Sequence, residues 1–219
     1  MLACLSIAIK PRLLISASAE IYGAALTMPI TEDAPLQPSS PYSVSKAAQD
    51  LLGLQYYLSH DFPALRVRAF NHFGPGQSDR FVAPAFAMQI ARIEAGLQQP
   101  VLEVGDLTAR RDFTDVRDIV RAYRLIVEQG KPGEAYNVAS GQARSAQDLL
   151  DILLSYSSIQ IEVRVDETRL RPSRIPILLG DCTRLHQTTG WQALIPFEQT
   201  LRDVLDECRQ RVHQQQEKL

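Results

Sequence analysis

The order of short apolar runs and longer helical segments constrains the fold of this chain more than any other feature. An apolar run at 13–15 follows a Lys-Pro-Arg turn and is typical of a buried parallel strand. Small residues at 16–19 follow it, then a proline-rich loop over 24–41 and a helix from about 43 to 60. Residues 65–70 predict a second strand. Strand, loop, helix and strand in this order predict a parallel α/β sheet.

The same alternation continues to the end of the chain. The apolar face of the helix over 43–60 is supplied by Leu51, Leu52, Leu54 and Leu58. A turn is predicted over 71–78 (NHFGPGQS), at the end of the second strand. The further helices are expected at 81–96, 115–129, 145–156, 185–189 and 197–212, and the further strands at 101–104, 111–114, 135–138 and 159–165.

Composition excludes several classes of function. The 219 residues carry a formal net charge of -2, so no global positive field attracts nucleic acid or a membrane surface. The three cysteines are far apart and form no Cys/His cluster, which favours free thiols in the cytoplasm over a metal site or a disulfide framework. The apolar run at 2–9 is too short to span a bilayer, and no positive charge precedes it as in a signal peptide. We interpret this run as the end of a core helix.

Tyr42 and Lys46 form a Tyr-x-x-x-Lys motif where the first helix begins. Residues four apart lie on one face of a helix, so the ammonium group is expected beside the phenol. A nearby positive charge stabilises the phenolate, which allows a tyrosine to act as acid or base near neutral pH. Ser18 follows the first strand, where its hydroxyl can hydrogen-bond a substrate carbonyl. Together the three residues predict a reductase site beside a nicotinamide, whereas Tyr-x-x-x-Lys alone is also compatible with a solvated helix face.

Longer motifs extend over nearly the whole chain. They are SASAEIYG (16–23), SPYSVSK (40–46), FNHFGPGQ (70–77), RRDFTDVRD (110–118), YNVASG (136–141), LRPS (170–173), GDCT (180–183) and TGW (189–191). Jointly they resemble the extended short-chain dehydrogenases/reductases, the NAD-dependent epimerase/dehydratase family. The resemblance implies an α/β fold with a Rossmann-type doubly wound parallel sheet and a smaller C-terminal α/β substrate-binding domain.

The resemblance also implies a division into domains. Residues 1–78 are expected to be the remnant of the NAD(P)-binding Rossmann domain, and residues 79–219 mainly the nucleotide-sugar domain, with 115–140 returning to the Rossmann sheet. The family's Gly-x-x-Gly-x-x-Gly turn brings backbone amides to the cofactor pyrophosphate, and nothing in this sequence matches it. We therefore expect a chain without the first half of that sheet, whether through a wrongly assigned start, a frameshifted pseudogene or a genuine short protein.

Within the family, the segments GPGQ, FVAPAFAMQIARIE and RRDFTDVRDIVRAY resemble reductases that form GDP-D-rhamnose, while GDCT is similar to GDP-mannose 4,6-dehydratases. The resemblance implies reduction of the 4-keto group of GDP-4-keto-6-deoxy-D-mannose, with NADP(H), or NAD, as cofactor and a GDP-linked deoxyhexose as substrate. Two alternatives stay open, a GDP-mannose 4,6-dehydratase and a catalytically incompetent remnant that only binds a GDP-sugar. The family further implies a homodimer or a higher homo-oligomer.

Individual residues receive roles from the same resemblance. The expected catalytic residues are Ser18, Tyr42, Lys46 and Glu20, the last as a base in dehydratases of the family. The cofactor is expected to lie against Tyr42, Lys46, Phe70 and His72, and His72 is not interpreted as a metal ligand. The expected substrate contacts are Asn71, Phe81, Val82, Arg111 and Arg171. The two arginines would pair with the diphosphate through their planar guanidinium groups. Surface arginines, a plain helix start at 81–82 and a solvated glutamate at 20 are the alternatives.

Overall fold

The computed structural model describes residues 11–170 and 175–217. These residues form two compact units, each assembled from three separate segments of the sequence. The first unit comprises residues up to 72, residues 112–142 and residues 178–194. The second comprises residues 73–111, residues 143–177 and the residues from 195 onward. The division expected from the resemblance, with a boundary at residue 78 and a return of 115–140 to the Rossmann sheet, stays a prediction.

The helices and strands alternate along the chain. The strands are β1 (Leu13–Ser16), β2 (Ala64–Ala69), β3 (Asn71–Phe73), β4 (Val101–Val104), β5 (Arg110–Asp115), β6 (Ala135–Val138), β7 (Ala143–Ser145), β8 (Glu162–Val165) and β9 (Ile177–Leu178). The α-helices are α1 (Pro41–His60), α2 (Val82–Glu94), α3 (Val116–Gln129), α4 (Ala146–Ser155), α5 (Thr183–Thr189) and α6 (Phe197–Gln216). Short 3-10 helices span Ala19–Tyr22 and Glu167–Arg169.

A parallel sheet in the order β1-β2-β6 forms the centre of the first unit. Leu13 lies opposite Ala64, and Arg66 lies opposite Ala135. Adjacent parallel strands need a long crossover connection. Between β1 and β2 this connection contains helix α1. Every residue of β2 is buried, and its apolar side chains pack with those of α3 and with Trp191. These features confirm the predicted α/β fold.

Helix α1 packs against the sheet through small residues and not through its leucines. Its buried residues are Ser43, Ala47, Asp50 and Gly53. A β-carbon at Gly53 would lie 2.3 Å from Ile15 Cδ1, so this helix approaches β1 closely. The exposed fractions on the apolar face are 52% for Leu51, 56% for Leu52 and 70% for Leu58. The apolar face predicted from the sequence is therefore largely exposed in this chain.

The second unit contains its own two-stranded sheet and three packed helices. Strands β4 and β8 pair in parallel, with Val101 opposite Glu162. Helices α2, α4 and α6 bury aliphatic side chains against one another. On the surface of this bundle, Arg209 of α6 holds Glu94 of α2 through two hydrogen bonds of 2.8 and 2.9 Å. The pair connects the end of α2 with the interior of α6, which is distant in sequence.

Several boundaries differ from those expected. The predicted turn at 71–78 is wrong in its first part, because residues 71–73 form strand β3. Helix α6 continues four residues beyond the predicted 212, and neither 3-10 helix was predicted. The core helix expected at 2–9 lies outside the described residues. None of the helices in the described part of the chain is long and apolar enough to cross a membrane.

Candidate active site

Tyr42 and Lys46 lie one turn apart at the start of helix α1. Ser40 caps this helix by accepting a hydrogen bond from the Ser43 backbone, and Pro41 fits the first turn because its missing N–H is not needed there. The Tyr42 side chain is about half exposed, with the Lys46 ammonium nitrogen 5.9 Å from its ring centroid. Because the helix begins at Pro41, Tyr42 and Lys46 lie one turn apart, and their phenol and ammonium groups lie on the same face of the helix.

The Lys46 ammonium group also contacts the end of strand β1. It donates a hydrogen bond of 2.8 Å to the backbone carbonyl of Ser16, the last residue of β1. Ser18 follows two residues later, half-buried, and caps the 3-10 helix by accepting a hydrogen bond from the Glu20 backbone. Glu20 itself is exposed. The structure therefore brings Lys46 to the carboxyl end of β1, where ligands commonly bind in open α/β sheets.

Tyr123 of helix α3 is a member of this group that the sequence did not indicate. Its hydroxyl shares a hydrogen bond of 3.0 Å with the Ser16 hydroxyl. Burial raises the pKa of Tyr123, the Ser16 hydrogen bond opposes that rise, and the proximity of Tyr42 adds to it. Because Tyr123 lies 107 residues from Ser16, no local spacing connects the two.

Behind these residues lies a buried group of charges on β2 and α1. Asp50 has no exposed surface and accepts hydrogen bonds from Arg66 and Arg68. Arg68 also donates to the Tyr22 hydroxyl at 3.0 Å. Burial raises the pKa of Tyr22 to about 12, although the charge of Arg68 opposes the rise. Tyr22 therefore stays a neutral phenol, and it donates to the Asn137 side chain at 2.7 Å.

The residues after β2 have different environments. The Phe70 side chain is 2% exposed and stacks on Tyr22 at 6.4 Å between ring centroids, so it belongs to the core. Any contact of Phe70 with a cofactor would have to come from its backbone. Asn71 is half-buried, whereas His72 is exposed and its Nδ1 lies 2.9 Å from the Phe70 carbonyl oxygen. No group of three or more metal-ligating side chains occurs among the described residues.

The predicted nucleotide contacts belong to the second unit. Phe81 immediately precedes α2 and is 57% exposed, and Val82 begins that helix. Arg111 is half-buried and donates to the Arg110 carbonyl oxygen at 2.8 Å. Arg171 lies outside the described residues.

A cleft in the second unit was not foreseen from the sequence. It has a volume of about 770 Å³ and lies between α2, β4 and the segment around β8. Its charged lining residues are the arginines Arg92, Arg164 and Arg169 and the carboxylates Asp79 and Glu103. Arg169 pairs with Glu103 at 3.0 Å. At its wall the Gln89 amide accepts from the Glu103 N–H at 3.0 Å and donates to the Glu103 carbonyl oxygen at 3.1 Å. Three arginines against two carboxylates leave a small excess of positive charge in a cleft large enough for a small ligand.

Comparison with known proteins gives consistent results. The sequence pattern of the family described as GDP-mannose 4,6 dehydratase matches residues 1–204. The GDP-6-deoxy-D-mannose reductase of Pseudomonas aeruginosa is 40% identical over 200 residues, which cover 90% of this chain and 66% of that protein. GDP-mannose 4,6 dehydratase 2 of Arabidopsis thaliana is 30% identical over 192 residues, covering 87% of this chain and 51% of the relative. The chain thus spans between half and two thirds of the length of these relatives.

Solved structures agree with the sequence relatives. The structure of RMD from Pseudomonas aeruginosa complexed with NADPH superposes with a TM-score of 0.88 at 37% identity, covering 93% of this chain and 68% of that one. The dTDP-glucose 4,6-dehydratase of Bacillus anthracis in complex with NAD gives a TM-score of 0.77 at 25% identity, covering 92% and 63%. The chain therefore belongs to the GDP-mannose 4,6 dehydratase family, within the extended short-chain dehydrogenases/reductases.

Proposed function

We propose that this chain acts on a nucleotide sugar as an NADPH-dependent reductase, converting GDP-4-keto-6-deoxy-D-mannose into GDP-D-rhamnose. The observation that carries the proposal is the position of Lys46, which is hydrogen-bonded to the carboxyl end of β1 and lies beside the exposed phenol of Tyr42. The 40% identity to a GDP-6-deoxy-D-mannose reductase supports this substrate class.

Tyr42 and Lys46 fit the nicotinamide end of such a cofactor. The Lys46 ammonium has three N–H donors and directs one at the Ser16 carbonyl, so the other two suit the hydroxyls of a ribose. The bound nicotinamide would supply a hydride to the carbonyl carbon of the sugar. Tyr42 would donate its phenolic proton to the carbonyl oxygen, which completes the new hydroxyl group. Lys46 would stabilise the phenolate left behind, and the Ser18 hydroxyl would hydrogen-bond the reacting oxygen.

The nucleotide part of the substrate is assigned to the second unit. Arg111 and Arg171 are the proposed diphosphate contacts, with Phe81 and Val82 near the base. The cleft of the same unit has three arginines against two carboxylates, and its small excess of positive charge is compatible with an anionic nucleotide. Replacement of Arg92 by Gln should weaken the affinity for GDP in a calorimetric titration, and unchanged affinity would remove the cleft from the proposed site.

A substitution of Lys46 tests the proposed chemistry. Lys46→Met should abolish NADPH oxidation in the presence of GDP-4-keto-6-deoxy-D-mannose, because the phenolate loses its neighbouring charge. Lys131→Met is the matched control, since Lys131 is exposed and its contact to Tyr136 is made by the backbone N–H. Retained turnover in the first variant, or an equal loss in the second, would refute the assignment.

A GDP-mannose 4,6-dehydratase is the second candidate, and one observation favours it. Glu20 lies two residues after Ser18 with an exposed carboxyl group, which is the place and chemistry of a base acting on the sugar. A dehydratase restores its cofactor in each cycle, whereas a reductase consumes NADPH stoichiometrically. Incubation with GDP-mannose alone therefore separates the two, and Glu20→Gln should stop dehydration but leave reduction intact.

A further inference from the structure

Arg68 is the penultimate residue of the buried strand β2 and is 4% exposed. Its guanidinium group pairs with both carboxylate oxygens of Asp50, from Nε to Oδ1 at 3.0 Å and from Nη2 to Oδ2 at 2.8 Å. The remaining nitrogen, Nη1, donates to the Tyr22 hydroxyl at 3.0 Å and to the Glu32 backbone carbonyl at 2.8 Å. One planar side chain therefore binds three separate parts of the chain.

Two of these partners, Asp50 and Tyr22, belong to the two segments that carry the candidate catalytic residues. Asp50 lies on α1, one turn after Lys46 and two turns after Tyr42. Tyr22 ends the 3-10 helix that Ser18 caps. The guanidinium group of Arg68 is planar and rigid. Its Nε and Nη2 bind Asp50 of α1 and its Nη1 binds Tyr22, so the side chain fixes the distance between helix α1 and the 3-10 segment. The burial of this group excludes water, which strengthens the hydrogen bonds and removes competing partners.

Arg66 provides an internal comparison. It lies on the same strand, two residues earlier and therefore on the same face, and it also donates to Asp50, at 2.7 Å. Its second contact is the Gly133 carbonyl oxygen at 2.9 Å, in the turn before β6. In the described hydrogen bonds Arg66 does not reach the segment around Tyr22. The two arginines share the same carboxylate but differ in what else they hold.

We propose that Arg68 is a positioning residue, which holds the segment from Ser18 to Tyr22 at a fixed place relative to the helix that carries Tyr42 and Lys46. The inference rests on the proposed function, because it assigns to Arg68 the alignment of the hydroxyl, the phenol and the ammonium group used there. Alignment of this kind matters since a displacement of about 1 Å costs on the order of a hundredfold in rate.

Hydrogen exchange of the full 219-residue chain tests the link without requiring turnover. The reporters are the amides of Ile21, Gly23 and Gln37, whose hydrogen bonds hold the 3-10 segment in place. Arg68→Lys keeps the charge but cannot span Asp50 and Tyr22, so these amides should exchange at least about tenfold faster relative to those of β2. Arg66→Lys should show no such selective change. Equal acceleration across β2 and the 3-10 segment, or none in either, would overturn the proposal.

A milder variant covers the case in which Arg68→Lys does not fold. Tyr22→Phe removes one hydroxyl and leaves the pairing of Arg68 with Asp50 intact. It should accelerate the same three amides selectively, by a smaller factor, and an unchanged exchange pattern would contradict the link.

Kinetics then separate positioning from plain stability. If the chain reduces the keto sugar, Arg68→Lys should lower kcat at least about tenfold with KM nearly unchanged, while Arg66→Lys should leave both near the original values. Equal losses of kcat in the two variants would overturn the positioning role. A chain without any turnover would count against the proposed function, and the exchange comparison would still decide whether Arg68 fixes the segment.

Discussion

Asp112→Asn should destabilise the first unit far more than its conservative chemistry implies. Asp112 has no exposed surface, and its two oxygens accept hydrogen bonds from the Ser140 N–H at 2.7 Å, the Ser140 hydroxyl at 2.6 Å, the Gly141 N–H at 3.0 Å and the Gly180 N–H at 3.3 Å. All of these partners are donors, so an asparagine in either orientation points its NH₂ group at two of them. With the oxygen kept toward Ser140, the N–H groups of Gly141 and Gly180 lose their acceptor.

The magnitude follows from those two lost acceptors. Each buried N–H without a partner costs about 1–3 kcal/mol, and burying a neutral amide instead of a carboxylate offsets a part of that cost. We expect a loss of about 3 kcal/mol in the free energy of unfolding, which lowers the urea midpoint by about 1 M. Burial raises the pKa of Asp112 and its hydrogen bonds oppose the rise, so the measurement is made at pH 8, far above the ordinary pKa of an aspartate.

Fluorescence of the single tryptophan reports the unfolding, because Trp191 is fully buried in the same unit. Asp106→Asn is the control, since Asp106 uses only Oδ1 to accept from Thr108, and asparagine retains that oxygen. Its urea midpoint should equal that of the original chain. If the urea midpoint of Asp112→Asn equals that of the original chain, or if the control falls equally, then the loss of an acceptor for the buried N–H groups does not cost the expected free energy.

Two further predictions concern an ion pair and a glycine. Hydrogen bonds from Arg209 hold the pKa of Glu94 below its usual range, so the pair stabilises the second unit above about pH 4.3, and this contribution is lost as the pH falls through the lowered pKa. Glu94→Gln should therefore flatten the acid limb of a plot of Tm against pH, and an unaltered limb would contradict the pairing. A β-carbon at Gly180 would lie 2.6 Å from both Ala139 Cβ and the Phe70 ring, so Gly180→Ala should cost about 1–3 kcal/mol by calorimetry; a neutral result would mean that this packing relaxes easily.

Local patterns predicted much of the architecture. Strands β4 and β6 have the bounds expected from their apolar runs, and the spacing of Tyr42 and Lys46 on one helix face needs only the helical period. These features depend on neighbours a few residues apart, which a sequence displays directly. The orientation of α1 could not be predicted in this way, because the small residues that let the helix approach β1 are not part of an apolar pattern.

Long-range polar contacts could not be predicted in this way. Arg66 and Arg68 alternate with apolar residues along β2, a pattern typical of a strand with one solvated face. They are buried because Asp50 neutralises them from helix α1, 16 residues before Arg66 and 18 residues before Arg68. Likewise Asp112 meets its donors only when residues near 140 and 180 are both in place. Such partners are defined by tertiary structure, and no spacing in the sequence indicates them.

The three-segment construction of each unit has a consequence for synthesis on the ribosome. The first unit needs residues 178–194 and the second needs residues from 195 onward, so neither unit can fold completely until these segments have emerged. Strand β1 is made long before the buried Trp191, which packs in the core of the same unit. The nascent chain therefore keeps apolar strands exposed during most of its translation, which is the interval in which chaperones act. For the same reason no single proteolytic cut releases either unit whole.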